Sequence, residues 1–241
     1  MTKNVFLAGA TGAIGRPLVR LLVRDGCRVF GLTRSPDRAA DLWRAGAIPV
    51  IADVFDAAAL TAAMRAIKPD VVVHQLTDLP ANLDPSAMAE AVQRNARIRR
   101  EGSAHLVAAA NAAGVRHLVA QSIAWAYAPG GEPWDEEAPL DAHAQGARSI
   151  SVGGVIALER CVLKDTAGAG CVLRYGQLYG PGTGSESPRD KAMPLHVEAA
   201  AWAALLAVRQ GGTGAFNVAE PNPSLVVERI RALGWSPDLR L

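Results

Sequence analysis

The sequence predicts an α/β fold in which a parallel sheet is covered by helices on both faces. Two observations carry this. Short, continuously apolar runs alternate with Ala-rich stretches of helical length, the pattern of strands buried on both sides. The first run leads at once into a glycine-rich turn, Gly9 to Gly15, which opens a helix. Right-handed crossovers then give a doubly wound sheet.

The elements follow in order. Val5 to Ala8 reads as a buried strand, and Ile14 to Arg24 as a helix closed by Gly26. A strand over Arg28 to Leu32 precedes a helix over Asp37 to Ala45 that stops at Gly46. Ile48 to Ala52 is the third strand; the helix Ala57 to Ile67 ends before Pro69. Val71 to Gln75 is the fourth strand, followed by a long helix, Glu90 to Ala113, that ends at Gly114. His117 to Ser122 is the fifth strand, and Ile150 to Lys164 a helix weakened by Gly153 and Gly154. Cys171 to Tyr175 is the sixth strand. After it Gly, Pro and Ser crowd residues 180–188, and a helix (Val197 to Arg209), a strand (Ala215 to Val218) and a helix (Leu225 to Leu233) complete the chain. This divides the chain into a dinucleotide-binding domain, 1–175, and a small C-terminal lobe, 176–241, packed over the carboxyl edge of the sheet.

Composition excludes several classes. Half of the 241 residues are apolar and 20% are charged, which suits a globular protein with a real core. The net charge of +2 is too small to argue for nucleic acid. Cys27, Cys161 and Cys171 are odd in number and widely spaced, which supports neither a disulfide framework nor a zinc site. The five histidines show no metal spacing. No apolar window spans a bilayer and no signal-peptide core appears, so a cytoplasmic location is expected.

The glycine turn carries the chemistry. Gly9 permits the tight turn, Gly12 lets the backbone approach a phosphate, and Gly15 lets helix and strand pack closely. Thr11, Ala13 and Ile14 complete the loop, and the helix amino end offers N–H groups and a partial positive charge to an anion. This is the phosphate-binding turn of a Rossmann-type unit, which predicts a nicotinamide dinucleotide. The second strand ends in Thr33, Arg34 and Ser35, with Arg38 one turn on. An acid is usual there for a free ribose 2′-hydroxyl, whereas a cation beside hydroxyls suits a 2′-phosphate. NADP(H) is therefore expected over NAD(H).

These residues resemble the extended or atypical branch of the short-chain dehydrogenase/reductase superfamily, the NAD-dependent epimerase/dehydratase type. The resemblance covers nearly the whole chain. It implies that Asp53 and Val54 meet the adenine, that His74, Gln75 and Leu76 border the ribose, and that Tyr175 and Gly176 lie beside the nicotinamide. Tyr179-Gly180-Pro181-Gly182, His196-Val197-Glu198 and Leu233-Gly234-Trp235 also resemble family segments. The catalytic set departs. The family uses a hydroxyl residue, a Tyr, and a Lys four residues after that Tyr; here four residues beyond Tyr127, Tyr175 and Tyr179 stand Gly131, Tyr179 and Thr183. Anchoring on Glu159 puts Ser151 in the Tyr place and Val155 in the Lys place. The usual hydroxyl falls at Ile123, and Arg99 stands where an Asn is usual, with Asn95 one turn earlier as a partial substitute. Ser122 and Tyr127 are the candidate catalytic residues, and Ser122 also a cofactor contact.

The family's nucleotide-sugar enzymes carry a long insertion where this chain has only Thr183 to Leu195. The substrate is therefore expected to be a small molecule rather than a nucleotide sugar. The expected function is an NADP(H)-dependent oxidoreductase acting on a small carbonyl or hydroxyl compound with a non-standard proton donor. The alternative is a cofactor-binding redox sensor or regulator that has lost its chemistry. The charged stretch Arg94 to Glu101 reads as a solvated face or a homodimer contact through the 90–113 helix.

Overall fold

A computed structural model describes residues 2–80, 83–188 and 193–241. Seven parallel strands form one sheet in the order β3-β2-β1-β4-β5-β6-β9. They are β1 (Asn4–Ala8), β2 (Arg28–Thr33), β3 (Ile48–Ile51), β4 (Val71–His74), β5 (His117–Ile123), β6 (Ala169–Tyr175) and β9 (Gly214–Val218). The chain runs outward from β1 through β2 to β3, then crosses back to place β4 on the other side of β1. That reversal opens a crevice at the carboxyl ends of β1 and β4, the place where doubly wound sheets bind ligands.

Helices cover both faces. On one, α1 (Gly15–Arg24) packs against α7 (Val197–Gln210). Leu18 and Leu22 are fully buried there, each such side chain stabilising the fold by about 2 kcal/mol. Alanines dominate the buried positions of α7, so it lies close on the sheet. On the other face α3 (Ala57–Ile67) packs against α5 (Ser103–Ala112) around Leu60, Met64 and Leu106. Beside them α4 (Met88–Arg97) packs on α6 (Gly146–Arg160).

Several expected boundaries move. The long helix starts at Met88 and is two α-helical segments joined by a π-helical turn, Ile98–Gly102. The helix expected from Ile150 begins at Gly146 and passes through both glycines. Gly154 lies against α4, where a Cβ would stand 3.0 Å from the Ala96 Cα, so the glycine permits this crossing. The expected Leu225–Leu233 helix shrinks to α8 (Glu228–Ala232), because the backbone before it is engaged elsewhere. There the Asn222 side chain accepts from the Ser224 and Leu225 amides, and the Val226 amide donates to the Trp134 carbonyl.

Residues after 176 serve both sheet and edge. A two-stranded pair, β7 (Gln177–Tyr179) with β8 (Pro194–His196), stands apart, while α7 and β9 complete the main sheet. The short connection expected between Thr183 and Leu195 includes 189–192, which lie outside the described residues. No helix of the described residues is long and apolar enough to cross a membrane.

Candidate functional site

The turn after β1 depends on two glycines that no other residue could replace, Gly9 and Gly15. Gly9 holds φ +87°, and a Cβ on it would lie 2.4 Å from the Gln75 carbonyl oxygen. A Cβ on Gly15 would lie 2.0 Å from the Gly9 carbonyl oxygen. Gly12 donates its amide to the same oxygen at 3.0 Å, and Arg16 donates Nε to the Thr11 carbonyl. Ile14 precedes α1 and is buried; Ala13 packs on the core. The loop therefore crosses the end of β4 as tightly as backbone allows and leads into α1; the Arg16 and Leu18 amides donate to the Gly12 and Ile14 carbonyls, while the amides of Ala13, Ile14 and Gly15 have no acceptor among the described residues. These residues fit a diphosphate: Gly12 is the one glycine of the three that is not walled in by protein.

At the end of β2, Ser35 donates its amide to Thr33 Oγ1 at 3.2 Å, while Arg34 and Arg38 are exposed with no ion-pair partner among the described residues. After β3, Asp53 accepts from the Phe55 amide at 2.9 Å, and Val54 is buried against Gly102. These two stretches follow the carboxyl ends of β2 and β3, on the β2 side of β1.

His74 lies beneath this edge. It is 1% exposed, accepts at Nδ1 from the Leu76 amide at 3.2 Å, and bonds Ser103 Oγ through Nε2 at 3.0 Å. The amide fixes Nδ1 as acceptor, so Nε2 carries the proton and donates to Ser103. Burial, then the nearby Arg99 charge, lowers its pKa to about 4, so the ring is neutral. Gln75 points to the opposite face, donating weakly to the Tyr175 hydroxyl at 3.4 Å, with its own Oε1 buried and unpartnered. Tyr175 is 2% exposed and donates to the Ala200 carbonyl under α7, so its hydroxyl belongs to the core and not to the open edge. Gly176 is required by chain packing, since a Cβ there would meet the Met193 carbonyl oxygen at 2.2 Å.

The two catalytic candidates enter one buried polar network. Ser122 Oγ donates to Glu159 at 2.7 Å. Glu159 accepts from Arg174 through both carboxylate oxygens, at 3.0 and 2.7 Å. Arg174 donates from Nη1 to the Tyr127 hydroxyl at 2.8 Å and to the Glu136 carbonyl at 3.0 Å. Tyr127 donates in turn to Asn217 Oδ1 at 2.6 Å. Burial pushes the Tyr127 pKa up against the lowering influence of Arg174. Both hydroxyls thus have their protons committed to buried acceptors. Val155, in the Lys place, sits in an apolar cluster with Ala126 and Val152. Asn95 does not replace the missing Asn either: its amide holds the Asp78 backbone and the Ala91 carbonyl. Asn217 was not singled out from the sequence; its one signal there is a polar residue inside the apolar run Ala215 to Val218.

Beyond the ends of β5 and β6 lies a cavity of about 270 Å³ lined by Trp125, Tyr127, Trp134, Met193, Arg148 and Glu132. Tyr127 and Trp134 stack at 5.6 Å between centroids. Arg148 donates to the Trp125 and Tyr127 carbonyls and to Asp141, which fixes the wall. Flat aromatic surfaces of this kind suit a small, planar, unsaturated ligand.

The comparisons with known proteins agree with this architecture. The family model for the NAD dependent epimerase/dehydratase family matches residues 5–216. The chain belongs to the NAD dependent epimerase/dehydratase family. A 3-diazoavenalumate denitrifying reductase of a Streptomyces species is 43% identical, over 97% of this chain and 83% of that protein. A dTDP-4-dehydrorhamnose reductase of Streptomyces griseus is 29% identical, over 80% of this chain and 54% of that protein. Among solved structures, the UDP-glucose 4-epimerase of Thermus thermophilus in complex with NAD superposes with a TM-score of 0.77. Its identity is 19%, with 99% of this chain and 95% of that one covered, a likeness of fold. No Tyr of this chain is followed four residues later by a Lys.

Proposed function

We propose that the protein is a reductase that uses a dihydronicotinamide cofactor, NADPH before NADH, to remove nitrogen from a small diazonium carboxylate. The observation that carries this reading is the missing proton donor. None of the three tyrosines has a Lys four residues on, and the Ser122 and Tyr127 hydroxyls donate to buried acceptors. Reduction of a carbonyl needs a hydride and a proton. Reduction of a diazonium needs only the hydride: R–N₂⁺ and H⁻ give R–H and N₂. The C–N bond breaks, a C–H bond forms, the electron pair comes from the cofactor, and N₂ departs. A site without an acid is adequate for that chemistry.

Three further features support it. The Streptomyces relative is named as a denitrifying reductase of a diazo compound, 3-diazoavenalumate, whose -ate ending is that of an acid anion. The Trp- and Tyr-lined cavity suits an unsaturated skeleton. The short segment between Gly182 and His196 favours a small acid over a nucleotide sugar. When bound, the cofactor supplies the hydride; the chain's own groups hold it. The turn 9–15, through the amides of Ala13, Ile14 and Gly15, would take the diphosphate, Asp53 and Val54 the adenine, and Arg34 with Ser35 the 2′-phosphate.

The test is direct. The protein is mixed with NADPH and cinnamate bearing a ring diazonium group, and evolved N₂ is measured. Cofactor deuterated at nicotinamide C4 is expected to deliver its label to the new aryl C–H bond. Turnover of simple aldehydes and ketones but no diazonium would replace this reading with the carbonyl one. Binding of cofactor with no turnover of either would favour a sensor. The cofactor assignment has its own check by fluorescence titration. Arg34→Ala is expected to weaken NADPH roughly 10- to 100-fold, the size of a lost charged hydrogen bond, and NADH by less than about twofold. Equal losses would remove the 2′-phosphate assignment.

A further inference from the structure

The charged stretch on the long helix divides in two. Arg94 pairs with Asp78 and Glu90 at 3.2 and 3.4 Å. Arg97 pairs with Glu101 at 2.9 Å and lies 4.0 Å over the Phe55 ring. Those side chains are exposed or half-exposed and held by carboxylates. Arg99 does not join them. It stands in the π-helical turn between the buried Ile98 and Gly102, is half-buried itself, and has no hydrogen-bond or ion-pair partner among the described residues. Glu90 and Glu101 on its own helix and Asp78 on the loop after β4 are engaged by Arg94 and Arg97, and Asp84 of that loop accepts from Ser86. Its surroundings are desolvated enough to bring its pKa down to about 10, and its charge reaches His74 at the carboxyl end of β4.

A guanidinium withdrawn from water without a counter-charge is a cost that folding alone does not explain. Here it is spent at the edge where β1 and β4 diverge, close to the expected ligand. The Asn95 amide nearby cannot serve, because it is used up in holding the Asp78 backbone and the Ala91 carbonyl. His74 is neutral, with its proton given to Ser103. Arg99 is therefore the free charge of this corner, and its planar fork suits two oxygens of one group.

We infer that Arg99 binds an oxyanion of the ligands held at this edge, either the carboxylate of the substrate or a phosphate of the dinucleotide. This deepens the reductase reading by naming what grips the substrate's acid group. Its test uses binding alone, so its failure and the failure of the diazo chemistry are told apart.

Arg99→Gln and Arg99→Lys are titrated by tryptophan fluorescence with two probes. NADP⁺ is added to the free protein; cinnamate is added to the protein saturated with NADP⁺, with cinnamyl alcohol as the uncharged control. Arg99→Gln is expected to weaken one probe by at least about tenfold, with partial recovery in Arg99→Lys and no change for the alcohol. Loss confined to cinnamate assigns the carboxylate; loss of NADP⁺ assigns the phosphate. The ligand-free melting temperature of Arg99→Gln is expected to equal or exceed that of the parent, since a lone charge has been removed. Affinities for both probes within about twofold of the parent, or a clearly lower ligand-free melting temperature, would overturn the inference and leave Arg99 a structural residue.

Discussion

Gly12→Val is expected to fold and to lose more than about 100-fold in affinity for NADPH and NADH alike, on the order of 3 kcal/mol. The three glycines of the turn differ in what confines them. At Gly9 and Gly15 a Cβ would stand 2.4 and 2.0 Å from backbone carbonyl oxygens, so substitution there breaks the turn itself. At Gly12 a Cβ meets only the Gly9 oxygen at 3.2 Å, and its φ lies outside the left-handed region. A shift of a few tenths of an ångström accommodates it. The branched side chain then occupies the space before the first turn of α1, where an anion must come within hydrogen-bond distance of the amides. Thermal melting and fluorescence titration check the two halves separately. A melting temperature close to that of the parent with binding lost is the expected pair of results. Binding retained within about twofold would mean that no phosphate approaches this backbone.

The same turn shows what could be read without coordinates. Strand, glycines and helix follow one another within 15 residues, so the local pattern fixes both conformation and chemistry. The parallel sheet was legible for a similar reason, since fully buried strands are apolar throughout. Contacts between distant segments were not. The pair β7 and β8 joins Gln177 to Pro194 and Tyr179 to His196, and neither run is long enough to announce a strand. The last helix lost its first turn to Asn222 and to the Trp134 carbonyl, partners that the local pattern does not contain. Ser122 and Tyr127 were legible as hydroxyls at the right edge. Which way each one donates depends on Glu159, 37 residues on, and Asn217, 90 residues on. Arg99 stood out in the sequence as a departure; only the coordinates reveal that it is half-buried and without a partner among the described residues, whereas Arg94 and Arg97 are paired and Arg100 is exposed.

Breaking the Arg174–Glu159 pair is expected to produce the largest loss of stability in the molecule. The two groups meet at 2.7 Å with side chains 7% and 6% exposed. Burial disfavours the Arg174 cation, but the Glu159 carboxylate outweighs it and holds the pKa above its usual value. Replacing one partner leaves the other charge buried and alone, which costs about 3–5 kcal/mol out of a typical total of roughly 5–15 kcal/mol. Glu159→Gln and Arg174→Met should therefore each lower the urea midpoint sharply with little change in its slope. The double variant Glu159→Leu/Arg174→Met should recover much of the loss, because no orphaned charge remains. Additive losses would show that the pair is not coupled as its geometry demands. The consequence reaches the cavity. Arg174 also holds the Tyr127 hydroxyl and the Glu136 carbonyl, and Asn217 ties Tyr127 to the Trp134 carbonyl. The stacked rings that face the cavity thus rest on this one ion pair. A hydroxyl that anchors such a wall keeps its proton directed at Asn217, which supports the proposed hydride transfer without an acid.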